Sequence, residues 1–317
     1  MHVVTISDAQ TGATAQIAAG FGFNCFDFQA VVEGRPVAVL STEPGFPAPG
    51  MRPSRSGIPI LFPFPNRIEN ARFTWQGKDY ELPANAPNGH AIHGFCHDRP
   101  WRVIEQGPNF VTGQFQLSLD APDRLPYWPT DFILEVDYEL IHNRLRTNFR
   151  INNPSAEDLP WGLGTHAYFQ LPLTENGSLE DVTIEAPVTK LWEVVEGLPT
   201  GRILEIPPEK ALRQGAYYTA LQLDDVYTGI DVGGVQFDCV ILDERAGLQV
   251  TQTCPPIFRE IVAFTPPQRP AVCLEPYTCV TNAINLESRG LETGLRVLAP
   301  GTEFHTWIDL TVGKIWV

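Results

Sequence analysis

The two-residue period across positions 132–151 limits the possible folds more than any other feature. In FILEVDYEL, Phe132, Leu134, Val136, Tyr138 and Leu140 alternate with Glu135, Asp137 and Glu139. Such alternation points one set of side chains at a core and the other at solvent, as a β-strand does. After Ile141-His142-Asn143 it resumes, with Leu145, Thr147, Phe149 and Ile151 set against Arg144, Arg146, Asn148 and Arg150. Two long strands in a hairpin therefore face acids with bases across the outer surface. These arginines read as solvated pairing partners, not as a basic binding patch.

The theme repeats along the chain. RFTWQGKDYEL sets Phe73, Trp75, Tyr80 and Leu82 on either side of a Gln-Gly-Lys-Asp turn, and WRVIEQGPNFVTGQFQLSLD turns at Gly107-Pro108-Asn109. EFHTWIDLTVG predicts an antiparallel closing strand with Phe304, Thr306, Ile308 and Leu310 on one face and His305 pointing outward. A short helix is expected around residues 211–218. The 29 prolines and 26 glycines supply turns throughout, and no repeat, linker or low-complexity segment interrupts them. The expected fold is all-β: one large antiparallel β-sandwich domain over residues 1–317, with few short helices.

Charge and cysteine usage narrow the function. With 37 acidic against 22 basic residues the net charge is -15, which disfavours nucleic acid and anionic membranes as partners. No apolar run approaches the roughly 20 residues that span a bilayer, and MHVVTISDAQTGATAQ lacks the basic-then-apolar layout of an export signal. The six cysteines show no zinc spacing and read as reduced, buried thiols, which together with the missing signal predicts a cytoplasmic protein.

Four stretches depart from ordinary strand and turn. SGIPILFPFPNRI is a proline-stiffened segment that delivers Asn66 and the planar guanidinium of Arg67. GHAIHGFCHDRPW gathers His90, His93 and His97, which raises the question of a metal, although Gly94 and the aromatics suit a loop and no H-E-x-x-H pattern is present. GLGTHAYFQLP sets His166 between glycines and aromatics, where a packed core histidine and a proton-transfer group are both open readings. AVCLEPYTC buries Glu275 among apolar neighbours, a setting that raises a carboxyl pKa, with a structural pairing to an arginine as the alternative.

In order and spacing, PILFPFPNRI, HGF followed by Trp101, YELIHNRLRTNFRINN leading into LPWGLGTHAYF, then LDDVY, then CLEPYT resemble the aldose 1-epimerase, or galactose mutarotase, family from about residue 57 to about residue 309. The resemblance implies a galactose mutarotase-like supersandwich with a sugar site built from loops and strand ends. His166 would be the general acid and Glu275 the general base, with His93 and Arg67 touching the sugar near the reacting centre. Asn66 joins Arg67 in binding, and Asp224 grips ring hydroxyls, with Asp225 as its alternative. The implied reaction interconverts the α and β anomers of a free aldohexose and needs neither metal nor cofactor.

Two departures cloud the substrate. The free-sugar branch usually reads H-G-G where this chain reads HGF, and HGFCHDRPW with SRSGIPILFP also resembles the hexose-6-phosphate 1-epimerase branch, for which Arg52, Arg55 and Arg99 would be the phosphate clamp. PNRI favours the free sugar. A non-catalytic carbohydrate-binding module on the same fold is a further alternative, and Glu275 with Asp224 imitates a glycosidase pair.

Overall fold

The computed structural model describes residues 2–315, and within them the chain is built from antiparallel sheets. A nine-stranded sheet runs Arg102–Gln106, Phe110–Gln116, Ile133–Ile141, Arg144–Asn152, Glu303–Lys314, Leu248–Cys254, Phe237–Asp243, Val182–Glu185 and Ala216–Tyr217 in spatial order. An eight-stranded sheet centres on Asp224–Thr228, Glu260–Phe264 and Ala271–Tyr277, with Gly164–Thr165 and Ala167–Gln170 both pairing against the last of these. A four-stranded sheet at the start of the chain runs from Val4–Ser7 to Arg35–Ala38. The α-helical content among the described residues is two short segments, Leu117–Asp120 and Ala283–Glu287.

Alternation explains the layers. Leu134, Val136, Tyr138, Phe149, Ile308 and Leu310 from the nine-stranded sheet join Ile261, Val272 and Leu274 from the eight-stranded sheet in one buried cluster whose members run from Val4 to Val312. Phe62 meets Phe132 edge-on, 4.7 Å between ring centres. Each such side chain contributes about 1.5–3 kcal/mol on leaving water, so the shared core holds the sheets together.

The expected hairpin forms with Glu135 opposite Arg150 and Glu139 opposite Arg146, but its ion pairs reach past the partner strand. Arg146 forks onto Asp309 of the closing strand at 2.7 and 2.6 Å, and Arg150 divides between Glu135 and Glu303. A bidentate bond to the shielded Asp309 outcompetes a single contact to Glu139. His305 faces outward, as expected, and lies beside Glu303. Two elements differ from expectation. The strand that begins at Phe110 stops at Gln116, and residues 117–120 turn into helix. Residues 211–218 form no helix: Gly215 at φ +81° breaks the path, leaving the strand Ala216–Tyr217 between the 3-10 turns Pro208–Lys210 and Tyr218–Ala220.

Candidate active site

Strand register gathers the chemistry on the face of the eight-stranded sheet that points away from the shared core. Leu274 and Val272 enter that core, so Glu275, Cys273 and Tyr277 face the other way. Across the sheet Val226 pairs with Val262 and Val262 with Glu275, while Asp224 pairs with Phe264 and Phe264 with Cys273. Ala167 pairs with Leu274, which sets His166 beside Glu275. His166 itself falls in the break between Gly164–Thr165 and Ala167–Gln170, its backbone N–H donating to the Pro59 carbonyl at 3.0 Å. Glu275 thus lies within a strand, not at a strand end.

Loops supply the rest. Asn66 and His93 both adopt left-handed backbone conformations, at φ +53° and +68°, and the His93 N–H donates to the Asn66 carbonyl at 2.9 Å. Such conformations cost about 1–3 kcal/mol and persist where surrounding structure holds them. Gly94 is part of that hold: a Cβ there would lie 2.1 Å from the Phe62 carbonyl oxygen, which accounts for the glycine in HGF. Arg124 pins the far side of the loop by a fork onto Asp98 and a bond to the Phe95 carbonyl. The Arg67 side chain is placed by a 3.0 Å bond from Nη1 to Asn66 Oδ1.

Asn66, Arg67, Ile92, His93, His166, Asp224, Val262, Phe264 and Glu275 line one cleft of about 160 Å³. All six residues assigned by the resemblance therefore meet. Asp225 is turned aside and bonded to Lys210 at 2.7 Å. The cleft continues outward into a lobe of about 440 Å³ between Trp192, Val194, Lys210 and Asp224. Arg52, Arg55 and Arg99 line neither space, and Arg99 closes on Asp123 at 2.5 Å.

The centre is a close contact between a histidine and a carboxyl, with His166 Nε2 3.2 Å from Glu275 Oε1. Burial acts on both partners. It pushes the Glu275 carboxyl well above its ordinary range, against the Tyr277 hydroxyl, which donates to Oε2, and the Arg67 guanidinium, both of which favour the carboxylate. It also lowers His166 to about 3. Burial, with His166 next, likewise pushes His93 well below its usual value, so that ring is neutral. Asp224 is raised by partial desolvation, which Arg67 opposes. Burial thus favours the uncharged form of each member, a protonated Glu275 beside a neutral imidazole, and the two groups lie 3.2 Å apart.

This fixes a pH dependence of stability. His166, whose folded value is lowered, is uncharged in the folded state from about 3 upward, whereas in the unfolded chain it stays protonated up to about 6.5. Between about 3 and about 6.5 the unfolded state binds more protons at His166, so this group's contribution falls with falling pH; Glu275, whose folded value is raised, acts in the opposite sense, its contribution falling as pH rises above about 4.5. Below about 4.5, where Glu275 is protonated in both states, the His166 contribution stands alone, and stability falls with falling pH by about 1.4 kcal/mol per pH unit down to about 3. Denaturation midpoints of wild type minus those of His166→Asn/Glu275→Gln should fall with falling pH between about 4.5 and about 3; a flat difference there would refute a buried, uncharged His166.

Sequence reasoning missed Tyr277, although it lies two residues from Glu275 and a strand sets such residues on one face. It also missed the position of Cys273: His166, Cys273 and Glu275 offer ligand atoms within 4.8 Å of one another. A metal there would occupy the lone pairs that proton transfer needs. His90 lies apart, its Nδ1 accepting the Asn70 N–H at 3.0 Å.

Fold and cleft define a β-sandwich enzyme with a buried histidine–glutamate pair in a small polar pocket. A family model for aldose 1-epimerase matches residues 52–311, and the chain belongs to that family. It is 26% identical to the uncharacterized protein YihR of Escherichia coli K12 over 230 residues, 71% of each chain. With rat galactose mutarotase it shares 30% identity over 143 residues, 44% of this chain and 40% of that one. The fold matches a galactose mutarotase-like protein from Clostridium acetobutylicum with a TM-score of 0.84 at 24% identity, over 96% of this chain and 94% of that one. A GalM/aldose epimerase homologue from Caenorhabditis elegans aligns with a TM-score of 0.81 at 19% identity, over 99% of each.

Proposed function

We propose that the chain is a mutarotase for a free aldohexose, with Glu275 as general base and His166 as general acid. The observation that carries this reading is the His166–Glu275 contact at 3.2 Å inside the cleft. Anomer exchange opens the hemiacetal ring and recloses it on the other face. One group must take the anomeric hydroxyl proton while another gives a proton to the ring oxygen, each such step being worth ~10² to ~10⁴ in rate. A pair holding one proton meets both needs once that proton sits on His166, and the Tyr277 hydroxyl and Arg67 favour this form by stabilising the Glu275 carboxylate. Rotation about the C1–C2 bond of the open sugar precedes reclosure, which returns both protons. Neutral His93, with Asn66, Arg67 and Asp224, offers hydrogen bonds to ring hydroxyls, and Ile92 and Phe264 provide apolar wall. The six buried, unpaired thiols suit a reducing compartment, and the reading places the enzyme in the cytoplasm.

Charge favours an uncharged sugar. Among the described residues the cleft and outer lobe contain two cations, and Lys210 is already bonded to Asp225, which leaves Arg67 to face a dianion beside Asp224 and Glu275. Rates of anomer exchange for glucose, galactose and glucose 6-phosphate in wild type and in Arg52→Ala/Arg55→Ala test this. Free hexose should be preferred, KM should barely respond to ionic strength, and activity should survive exhaustive chelation. A strong preference for the phosphate that vanishes in the double variant would move the chain to the sugar-phosphate branch. Loss of activity on chelation, restored by zinc, would overturn the metal-free mechanism, and sugar binding without exchange would make the chain a binding module.

A further inference from the structure

The ring of His166 is held in an unusual way. A histidine that transfers protons from one nitrogen is commonly oriented by a hydrogen bond at the other. Here Nε2 faces Glu275, while Nδ1 is buried without a hydrogen-bond partner among the described residues. What fixes the ring is a stack: the imidazole lies on the Tyr168 ring, 4.7 Å between centres and 11° from parallel, with the His93 ring set at 80° to it, 5.7 Å between centres.

Tyr168 is in turn fixed from two sides. Its hydroxyl donates to the Ser54 carbonyl at 3.0 Å. The Arg269 guanidinium sits over its ring, 4.9 Å from the centre, and is itself tied to the segment at 53–55 by a hydrogen bond from Nη2 to the Arg55 carbonyl and to Glu43 by a 3.8 Å ion pair. A guanidinium over a phenol ring contributes about 0.5–2 kcal/mol, and its planar fork resists rotation.

We propose that Tyr168 and Arg269 are positioning residues for His166: the stack sets the plane of the imidazole in place of a hydrogen bond at Nδ1, and the Arg269 cation makes the protonated ring a stronger acid. The proposal rests on His166 being the acid described above. Neither residue touches the expected sugar position, since neither lines the cleft. The groups that face the imidazole are Glu275 and Cys273 from the strand Ala271–Tyr277, His93 and His97 from the loop at 93–97, and Arg269 from the loop preceding that strand. Arg269 and His97 resist protonation of His166 by charge, and the Glu275 carboxyl lies 3.2 Å from its Nε2.

Stacking and charge are separable by substitution. Tyr168→Phe keeps the ring and should retain kcat within about threefold; Tyr168→Leu removes it and should lower kcat ~10-fold to ~100-fold with KM within about threefold, because a misplaced proton donor costs rate more than binding. Arg269→Gln, at a partly exposed position, should move the acid limb of the kcat profile to higher pH by about half a unit or more, since loss of a nearby cation lets the pair take its second proton more readily. Arg269→Lys should restore much of that shift. A purely structural role would lower the denaturation midpoint and leave the limb in place. An unmoved limb in Arg269→Gln, or a Tyr168→Leu variant that folds and keeps wild-type kcat, would overturn the proposal. If Tyr168→Leu does not fold, the Arg269 limb decides alone. Wild-type activity in His166→Asn would sink the acid assignment instead, so the two failures are distinct.

Discussion

Glu275→Gln is expected to cut mutarotation by at least ~10² while leaving fold and sugar affinity close to wild type. The amide matches the carboxyl in shape, and its carbonyl oxygen can still accept the Tyr277 hydroxyl that Oε2 accepts in the native protein. Burial favours a neutral side chain at this position, so an uncharged replacement leaves no unpaired charge behind. What the amide cannot do is take the anomeric proton. The loss should therefore appear in kcat, with KM little changed, because the removed interaction is made as the proton moves. Saturation-exchange NMR between anomers reads the rate directly, with circular dichroism as the control for folding. Near-normal exchange in a folded variant would remove Glu275 from the mechanism and leave its burial to be explained by structure alone.

The legibility of this site in the sequence had a physical limit. Alternation marks a strand and the face each residue takes, so the hairpin at 132–151 and the outward His305 could be read directly. Which strand lies beside which is set by long-range pairing that a local pattern does not carry. For that reason the pattern sets the hairpin's arginines against its own acids, whereas Asp309, 163 residues from Arg146, holds that arginine. The same limit hid the stack on His166: Tyr168 was visible two residues along the strand, but Arg269 reaches it only through the fold. Asp224 and Asp225 were indistinguishable as neighbours in LDDVY. Register turns Asp224 to the face shared with Phe264, and Lys210 takes its neighbour. Glu275 was legible because a carboxylate inside an apolar run has few structural excuses.

His166→Asn should cost a factor comparable to that of Glu275→Gln, and the double variant should lose far less than the product of the two. Asparagine fills part of the imidazole volume and can hydrogen-bond to Glu275, but it has no proton to give at neutral pH. If base and acid act in one event, removing either ends that event, and the second removal finds little left to take away. With singles near ~10² each, independent action predicts ~10⁴ for the pair, whereas a coupled pair predicts ~10² to ~10³, a coupling of about 1.4 kcal/mol or more. The 3.2 Å contact gives the structural reason to expect coupling. Each substitution also frees the other group from its partner: without Glu275 the imidazole has no acceptor at Nε2, and without His166 the carboxyl has no base beside it to receive its proton. Rates for wild type, both singles and the double, all measured at one pH, close the cycle. A double variant that falls by the full product would mean that the two side chains work in separate steps, and the concerted pair would have to be abandoned even if both residues proved essential.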